Sequence, residues 1–244
     1  MLTVTAGAVD ATAFLGLGHA FAALATGNLL LLGFAAAGAQ DISLVRPLLA
    51  LAGFTVGAAV GDAAVDWLRD RGRRWFVLAL LLEAAFLWTA AGYALSEDAA
   101  GRPDSRQSAV VFLLVAFAMG WRNRVTWEAR IPDMPTTLVQ MSLVKMVVDA
   151  MSLGRGGGGP AMPKVRRLAT VVGMFAGGVC GAALVLNLGV GPALGVIAGS
   201  VTGTALLYAV GPWLRPPAAR PPDSGWEGPG STDPGPPGQL GARG

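Results

Sequence analysis

Residues 168–214 read LATVVGMFAGGVCGAALVLNLGVGPALGVIAGSVTGTALLYAVGPWL, without one Asp, Glu, Lys, Arg or His. A helix needs ~20 consecutive apolar residues to cross the hydrocarbon core of a bilayer. The run is long enough for two such helices, and Asn187–Pro192 supplies the polar and helix-breaking residues that divide them. The same signature recurs upstream. Residues 1–38 carry only Asp10 and His19 as charged or imidazole groups, 47–68 only Asp62 and Asp66, and 75–95 only Glu83. Residues 108–121 carry none, and 134–153 hold Lys145 and Asp149. The chain reads as an all-α, polytopic helical membrane protein.

Composition agrees. Of 244 residues, 53% are hydrophobic and 14% charged, against about 25% charged in soluble domains. A soluble enzyme is thereby excluded. The net charge of +3 comes from scattered Arg with no dense basic stripe, so nucleic acid is not an expected partner. One Cys excludes an intramolecular disulfide and a Cys-rich metal site. No Ser-His-Asp arrangement, nucleotide loop or His-rich metal spacing is visible. The run RGGGGP (155–160) lacks the Lys-Ser/Thr and the preceding strand of a phosphate cradle, so it reads as a loop. No enzyme activity, metal or cofactor is expected. Met1 leads straight into apolar sequence without a basic n-region, and several spans follow, which argues against secretory processing. Residues 215–244 hold eight of the 16 prolines, with three Arg balancing three acids. Such a segment buries too little apolar surface to offset its ordering entropy. It reads as a disordered Pro/Gly-rich tail behind an interfacial Trp213, or as a proline-rich docking motif.

The apolar part repeats itself. Gly53, Gly57 and Gly61 fall four apart, and so do Gly173, Gly177 and Gly181, at an offset of 120. Glycines at this spacing share one helix face and let another backbone come close. Ala6–Asp10 corresponds to Met119–Asn123 at an offset of 113. Polar stretches follow about 16 residues later in each half, Thr26-Gly27-Asn28 and then Pro135-Thr136-Thr137 with Gln140. The transmembrane domain, 1–214, therefore divides into repeats of about 1–100 and 108–214.

Loop charge sets the topology. Loop 69–74 has four Arg against one Asp, and loop 154–167 has four cations and no acid, whereas 96–107 has two Arg against three acids. The positive-inside rule puts the first two in the cytoplasm and the third outside. The chain must then cross an odd number of times between 107 and 155, although 108–153 holds two apolar stretches. One of them is re-entrant, or the two make one broken crossing. The same parity in the first half gives two three-crossing repeats of opposite orientation. That makes six net crossings with both termini cytoplasmic in a multi-pass plasma-membrane protein. Inverted repeats with broken helices are a construction of secondary transporters.

Two polar clusters occupy equivalent points of the repeats: Asp10, Thr26, Gly27 and Asn28, and Arg122, Asn123, Thr136, Thr137 and Gln140. Gly16, Gly18 and Gly27 favour unwinding in the first. Pro132 and Pro135 suit the first turn of a short helix in the second. Helix N-termini offer free N–H groups and partial positive charge, so these clusters are candidate ligand-binding residues for a small solute. The alternative is that they cap broken helices and satisfy one another. Asp10 is a candidate for proton coupling, or else accepts hydrogen bonds from backbone freed by the helix break. Glu83, mid-span without a sequence-local partner, either carries protons or bonds a polar group on a neighbouring helix. Lys145 and Asp149 are spaced to pair on one helix, Asp62 and Asp66 to pair with Arg of loop 69–74. His19 sits in a Gly-His turn. Cys180, between glycines, reads as a small packing residue.

These residues carry a family resemblance. The stretch TAGAVDATAFLGLGHAFAALATGNLLLLG (Thr5–Gly33) resembles the YoaK-like family of bacterial integral membrane proteins, also called domain of unknown function 1275. The pattern falls on Gly7, Asp10, Phe14, Leu15, Leu17, Gly18, Phe21, Thr26, Gly27 and Asn28, and in the second half on Gly120, Asn123, Arg130, Pro132, Thr136 and Thr137. Gln140 and Ser142 stand where the family usually shows Thr. The resemblance covers about 1–213 and implies an inner-membrane protein, but supplies no substrate. The expected function is a secondary transporter or permease for a small solute bound between the repeats, with the lipid bilayer as surroundings and a second copy of the chain as a candidate partner. The alternative is a non-catalytic membrane adaptor or regulator docking through the tail.

Overall fold

The computed structural model describes residues 1–39, 42–70, 74–100, 105–129 and 161–211. Among these, seven helices and no strand occur. They are α1 (Leu2–Gly16), α2 (Ala25–Ala36), α3 (Val45–Arg69), α4 (Trp75–Ala100), α5 (Ser105–Glu128), α6 (Ala161–Leu188) and α7 (Val190–Val210). Helices α3 to α7 each contain a stretch long and apolar enough to cross a membrane, while α1 and α2 are shorter apolar helices. The molecule is a polytopic helical membrane protein. Lys145, Asp149, the glycine run 156–159 and the tail 215–244 lie outside the described residues.

The first apolar segment breaks where its glycines suggest. Gly18 has φ +117° and His19 φ +59°, two successive left-handed residues that end a right-handed helix. The His19 N–H donates to the Phe14 carbonyl at 2.9 Å and closes the last turn of α1. His19 itself is exposed. Gly27 lies in the first turn of α2, so the unwound stretch is 17–24 and Gly27 does not belong to it. At the far end a single residue, Gly189 with φ +86°, separates α6 from α7. Pro192 follows in the first turn of α7, where its missing N–H costs no helical bond.

Three helix pairings organise the bundle: α1 with α6, α3 with α5, and α4 with α7. The glycine triplets form the first two. Gly177 abuts the Val4 carbonyl and Gly181 the Ala8 carbonyl, so α1 and α6 run parallel. Gly57 abuts the Phe117 carbonyl and Gly53 the Leu113 carbonyl, so α3 and α5 also run parallel. The contacts are returned from the other side. Gly7 meets Met174 and Gly178, and Gly120 meets Phe54 and Ala58. A Cβ at Gly7, Gly57, Gly120 or Gly177 would strike backbone of the facing helix, which is why glycine stands there. By contrast α4 and α7 run antiparallel, since Gly191 packs on Leu95, Trp88 Nε1 donates to Thr202 Oγ1 at 3.2 Å, and Phe76 meets Tyr208 edge-on.

The outer side of α6 carries exposed Val172, Phe175, Val179 and Leu186, which face lipid while its glycines face α1. Cys180 is on this exposed side, contrary to its expected role in packing. Two apolar cores lie inside the bundle. One gathers Val9, Leu87, Phe112, Val115, Leu194 and Ile197, and the other Leu68, Phe76, Leu80, Trp121 and Val125.

A Cβ at Gly178, next to Gly177, would have no neighbour within 4 Å. We expect Gly177→Leu and Gly57→Leu each to cost about 1–3 kcal/mol by overpacking, while Gly178→Leu stays near wild type. Thermal unfolding of the purified variants in detergent reads the difference. Equal melting of Gly177→Leu and Gly178→Leu contradicts the pairing.

Candidate functional site

Asp10 sits mid-length in α1 and is 5% exposed. The unwound stretch folds back beside it, and Asp10 Oδ1 accepts the Ala23 N–H at 2.7 Å. The amides of Ala22 and Leu24 are close by. The reason is local: α2 starts at Ala25 with no side-chain cap of its own, so the unpaired amides leading into it need an acceptor. The other carboxylate oxygen, Oδ2, is buried and makes no hydrogen bond. Asn28, 1% exposed, secures the same stretch. Its Nδ2 donates to the Phe21 carbonyl at 2.6 Å and its Oδ1 accepts the Phe21 N–H at 2.9 Å. This side chain serves one residue as both donor and acceptor, as a neighbouring strand would.

The second cluster is ionic. Arg122 Nε donates to Glu83 Oε1 at 2.6 Å, and Nη2 donates to the same oxygen. Nη1 donates to the Leu2 carbonyl at 3.2 Å and to Thr5 Oγ1 at 2.9 Å. Glu83 is 1% and Arg122 6% exposed. One guanidinium on α5 thus ties α4 to the first turn of α1. The adjacent Trp121 Nε1 donates to the Ala79 carbonyl at 3.0 Å and fixes α5 against α4. A small cavity, partly open on one side, lies next to these groups. Leu2, Ala6, Ala23, Phe54 and Met119 form its apolar walls, and Arg122, Asn123 and Thr126 its polar one.

The model of the DUF1275 family, a protein family of unknown function, matches residues 1–207. The chain belongs to the DUF1275 family. It is 30% identical over 152 residues to the UPF0700 transmembrane protein YoaK of Bacillus subtilis (strain 168). That match takes in 61% of this chain and 64% of the relative, so the chain spans just under two thirds of the relative's length. No solved structure matches it.

Within this DUF1275 chain the expected site residues separate. Asp10 and Asn28 are brought together, through Ala23 and Phe21, as the two holders of the α1–α2 break. Thr26 is exposed on the first turn of α2, and Gly27 packs beneath Phe21 and Leu24. Asn123 lines the cavity, within a residue of Arg122. Thr136, Thr137 and Gln140, with Arg130, Pro132 and Pro135, lie outside the described residues. Glu83 finds its polar partner on a neighbouring helix in Arg122. Asp62 pairs with Arg124 of α5 at 2.6 Å, because α5 runs alongside α3 and brings the cation within reach; residues 71–73 and the side chain of Arg69 lie outside the described part. Arg124 also reaches Glu128 at 2.9 Å.

The Glu83–Arg122 link was not legible as a pair. The two charges are 39 residues apart, and only the antiparallel packing of α4 on α5 joins them. Their one sequence signal is that Glu83 is a lone charge in an apolar span and that Arg122 follows the uncharged run 108–121.

Removing one member of a buried ion pair strands the other and costs about 3–5 kcal/mol, whereas replacing both with apolar groups is far milder. Glu83→Leu and Arg122→Leu are therefore each expected to lower stability more than the double variant does. A double-mutant cycle in thermal or denaturant unfolding measures this, and additive effects contradict the pair. Asn28→Asp, which loses the donor to Phe21, is expected to destabilise by about 1–3 kcal/mol in the same assay.

Proposed function

We propose that this chain is a secondary transporter or permease for a small solute, built as an inverted repeat with its site between the halves. The carrying observation is the cavity. Its walls come from Leu2, Ala6 and Ala23 of the first half and from Met119, Arg122, Asn123 and Thr126 of the second. It also borders the break between α1 and α2, and irregular backbone at membrane depth is tolerated only in protein or at a cavity.

The inverted repeat is supported by the helix directions. Taking α1 as outward, its parallel partner α6 is outward, and α7, against which Gly16 packs at Val190, is inward. Antiparallel to α7, α4 is outward. Arg122 and Phe117 of α5 meet Glu83 and Phe86 of α4 in reversed order, so α5 is inward, and so is its parallel partner α3. The first half then runs out, in, out through α1, α3 and α4, and the second in, out, in through α5, α6 and α7. The contact of Gly57 with Phe117 and that of Gly177 with Val4 are equivalent at the offsets of 120 and 113. With loops 69–74 and 154–167 cytoplasmic by charge, this gives six crossings, a re-entrant α2 entering from outside, and both termini in the cytoplasm of a plasma-membrane protein. Asp10 and Glu83 are the two carboxylates available for proton coupling, and Asn123, Thr136, Thr137 and Gln140 the second-half groups available to a solute.

Two experiments test this reading. In a Cys180→Ala background, an impermeant thiol reagent applied outside is expected to label Ser105→Cys and spare Gly157→Cys. The reverse pattern refutes the orientation, and labelling of both refutes the inverted repeat. A ligand that binds only the folded state raises its apparent stability. A thermal-shift screen of the purified protein against amino acids, sugars, organic acids, amines and nucleobases is therefore expected to yield a stabilising class whose effect falls with Asn123→Ala. A flat screen contradicts the transporter reading.

A further inference from the structure

We infer that the cavity takes a small monocarboxylate, whose anionic head replaces Glu83 at Arg122 while Glu83 takes up a proton from the cytoplasmic side. This rests on the transporter reading and names its substrate class and coupling.

The two halves are asymmetric here. Offset 113 sets Val9 of the first half against Arg122. The pattern Thr89…Tyr93 returns as Thr204…Tyr208, an offset of 115 that sets Ala198 against Glu83. Val9 and Ala198 are both 0% exposed and sit in one apolar core. One half thus fills this position with hydrocarbon and the other with an ion pair. A buried ion pair gives no more stability than well-packed apolar residues, so packing alone gives no reason for the charges.

Charge counting then sets the ligand. A guanidinium keeps its charge and, when buried, needs a counter-charge. Arg122 has one in Glu83, and it also forms part of the cavity wall. A solute carboxylate that pairs with Arg122 leaves Glu83 buried without its cation, which is too costly unless Glu83 gains a proton. The balance is one anion bound, one proton taken from water, and no change in site charge. A dianion would bring a second, unmatched charge. The walls formed by Leu2, Ala6, Phe54 and Met119 suit an apolar body behind the head.

Among the described residues, the groups around Glu83 are accounted for. Arg122 of α5 is the charged group that acts on Glu83, and on α3 Asp62 is engaged by Arg124. The helix α7 carries no Asp, Glu, Lys, Arg or His. From α1, Asp10 acts on Arg122, which makes Asp10 the internal control.

The test is calorimetric titration of the full chain in detergent with sodium propionate, at pH 6 to 8 and in two buffers of different ionisation enthalpy. Propionamide, propylammonium, malonate and nitrate serve as comparisons. The expected result is preference for propionate, uptake of one proton, and a Kd that weakens about tenfold per pH unit as pH rises. Glu83→Gln should bind propionate with no proton uptake and a flat pH profile, and Asp10→Asn should keep the wild-type slope. Arg122→Gln should lose binding. Should these variants fail to fold, the wild-type proton count and slope decide alone. The proposal is overturned if propionamide binds as well as propionate, if wild type takes up no proton, or if the slope vanishes in Asp10→Asn and persists in Glu83→Gln. If no carboxylate binds while another class stabilises the protein in the solute screen, this inference falls and the transporter reading stands.

Discussion

Apolar helices in a bilayer have no hydrophobic reason to meet, because lipid tails are as apolar as leucine. What holds them is close packing of backbone on backbone, and everything else here depends on where that is possible. Gly7, Gly57, Gly120, Gly177 and Gly181 are such places. They pair α1 with α6 and α5 with α3, so the first helix of each half lies against a helix of the other half. The halves are interleaved instead of standing side by side. A residue on α1 and one on α5 therefore sit on two sides of one interior, which is the condition for a site shared by both halves.

The polar groups inside this frame do different work. Asp10 and Asn28 satisfy backbone that the α1–α2 break leaves unpaired. Arg122 and Glu83 satisfy each other and leave the guanidinium at the cavity wall. The first arrangement stabilises an irregular segment inside the membrane. The second joins α4, α5 and α1 at the cavity wall.

Much of this was readable from residue order, and for definable reasons. Membrane helices announce themselves by length without charge, so α3 to α7 are plain in the sequence. Glycines four apart mark a face, so the two seams were visible, although which helix each one meets was not. The break after Gly16 followed from Gly18 and His19, while Gly27 misled because a glycine in a first helical turn looks the same as one in a kink. Asp10 stands out in the sequence as a lone acid, while its hydrogen bond to Ala23 depends on how the chain folds back after the break. Partners far apart in the chain were hidden. Arg124 reaches Asp62 across α3 and α5, and Arg122 reaches Glu83 across α4 and α5. Sequence distance does not reveal such partners where helices pair out of chain order.

The interleaved pairing is the claim on which the rest stands, and a cross-linking experiment tests it most directly. A Cβ at Gly173 lies 3.9 Å from that of Thr3, and one at Gly53 lies 3.1 Å from that of Ala116, near the ~3.5–4.5 Å that a disulfide spans. In a Cys180→Ala chain with a protease site inserted after Gly101, mild oxidation of Thr3→Cys with Gly173→Cys should hold the two halves together after cleavage on a non-reducing gel. Gly53→Cys with Ala116→Cys should do the same, and Gly53→Cys with Gly173→Cys should not. Separation of the halves in both of the first two variants would contradict the fold described here.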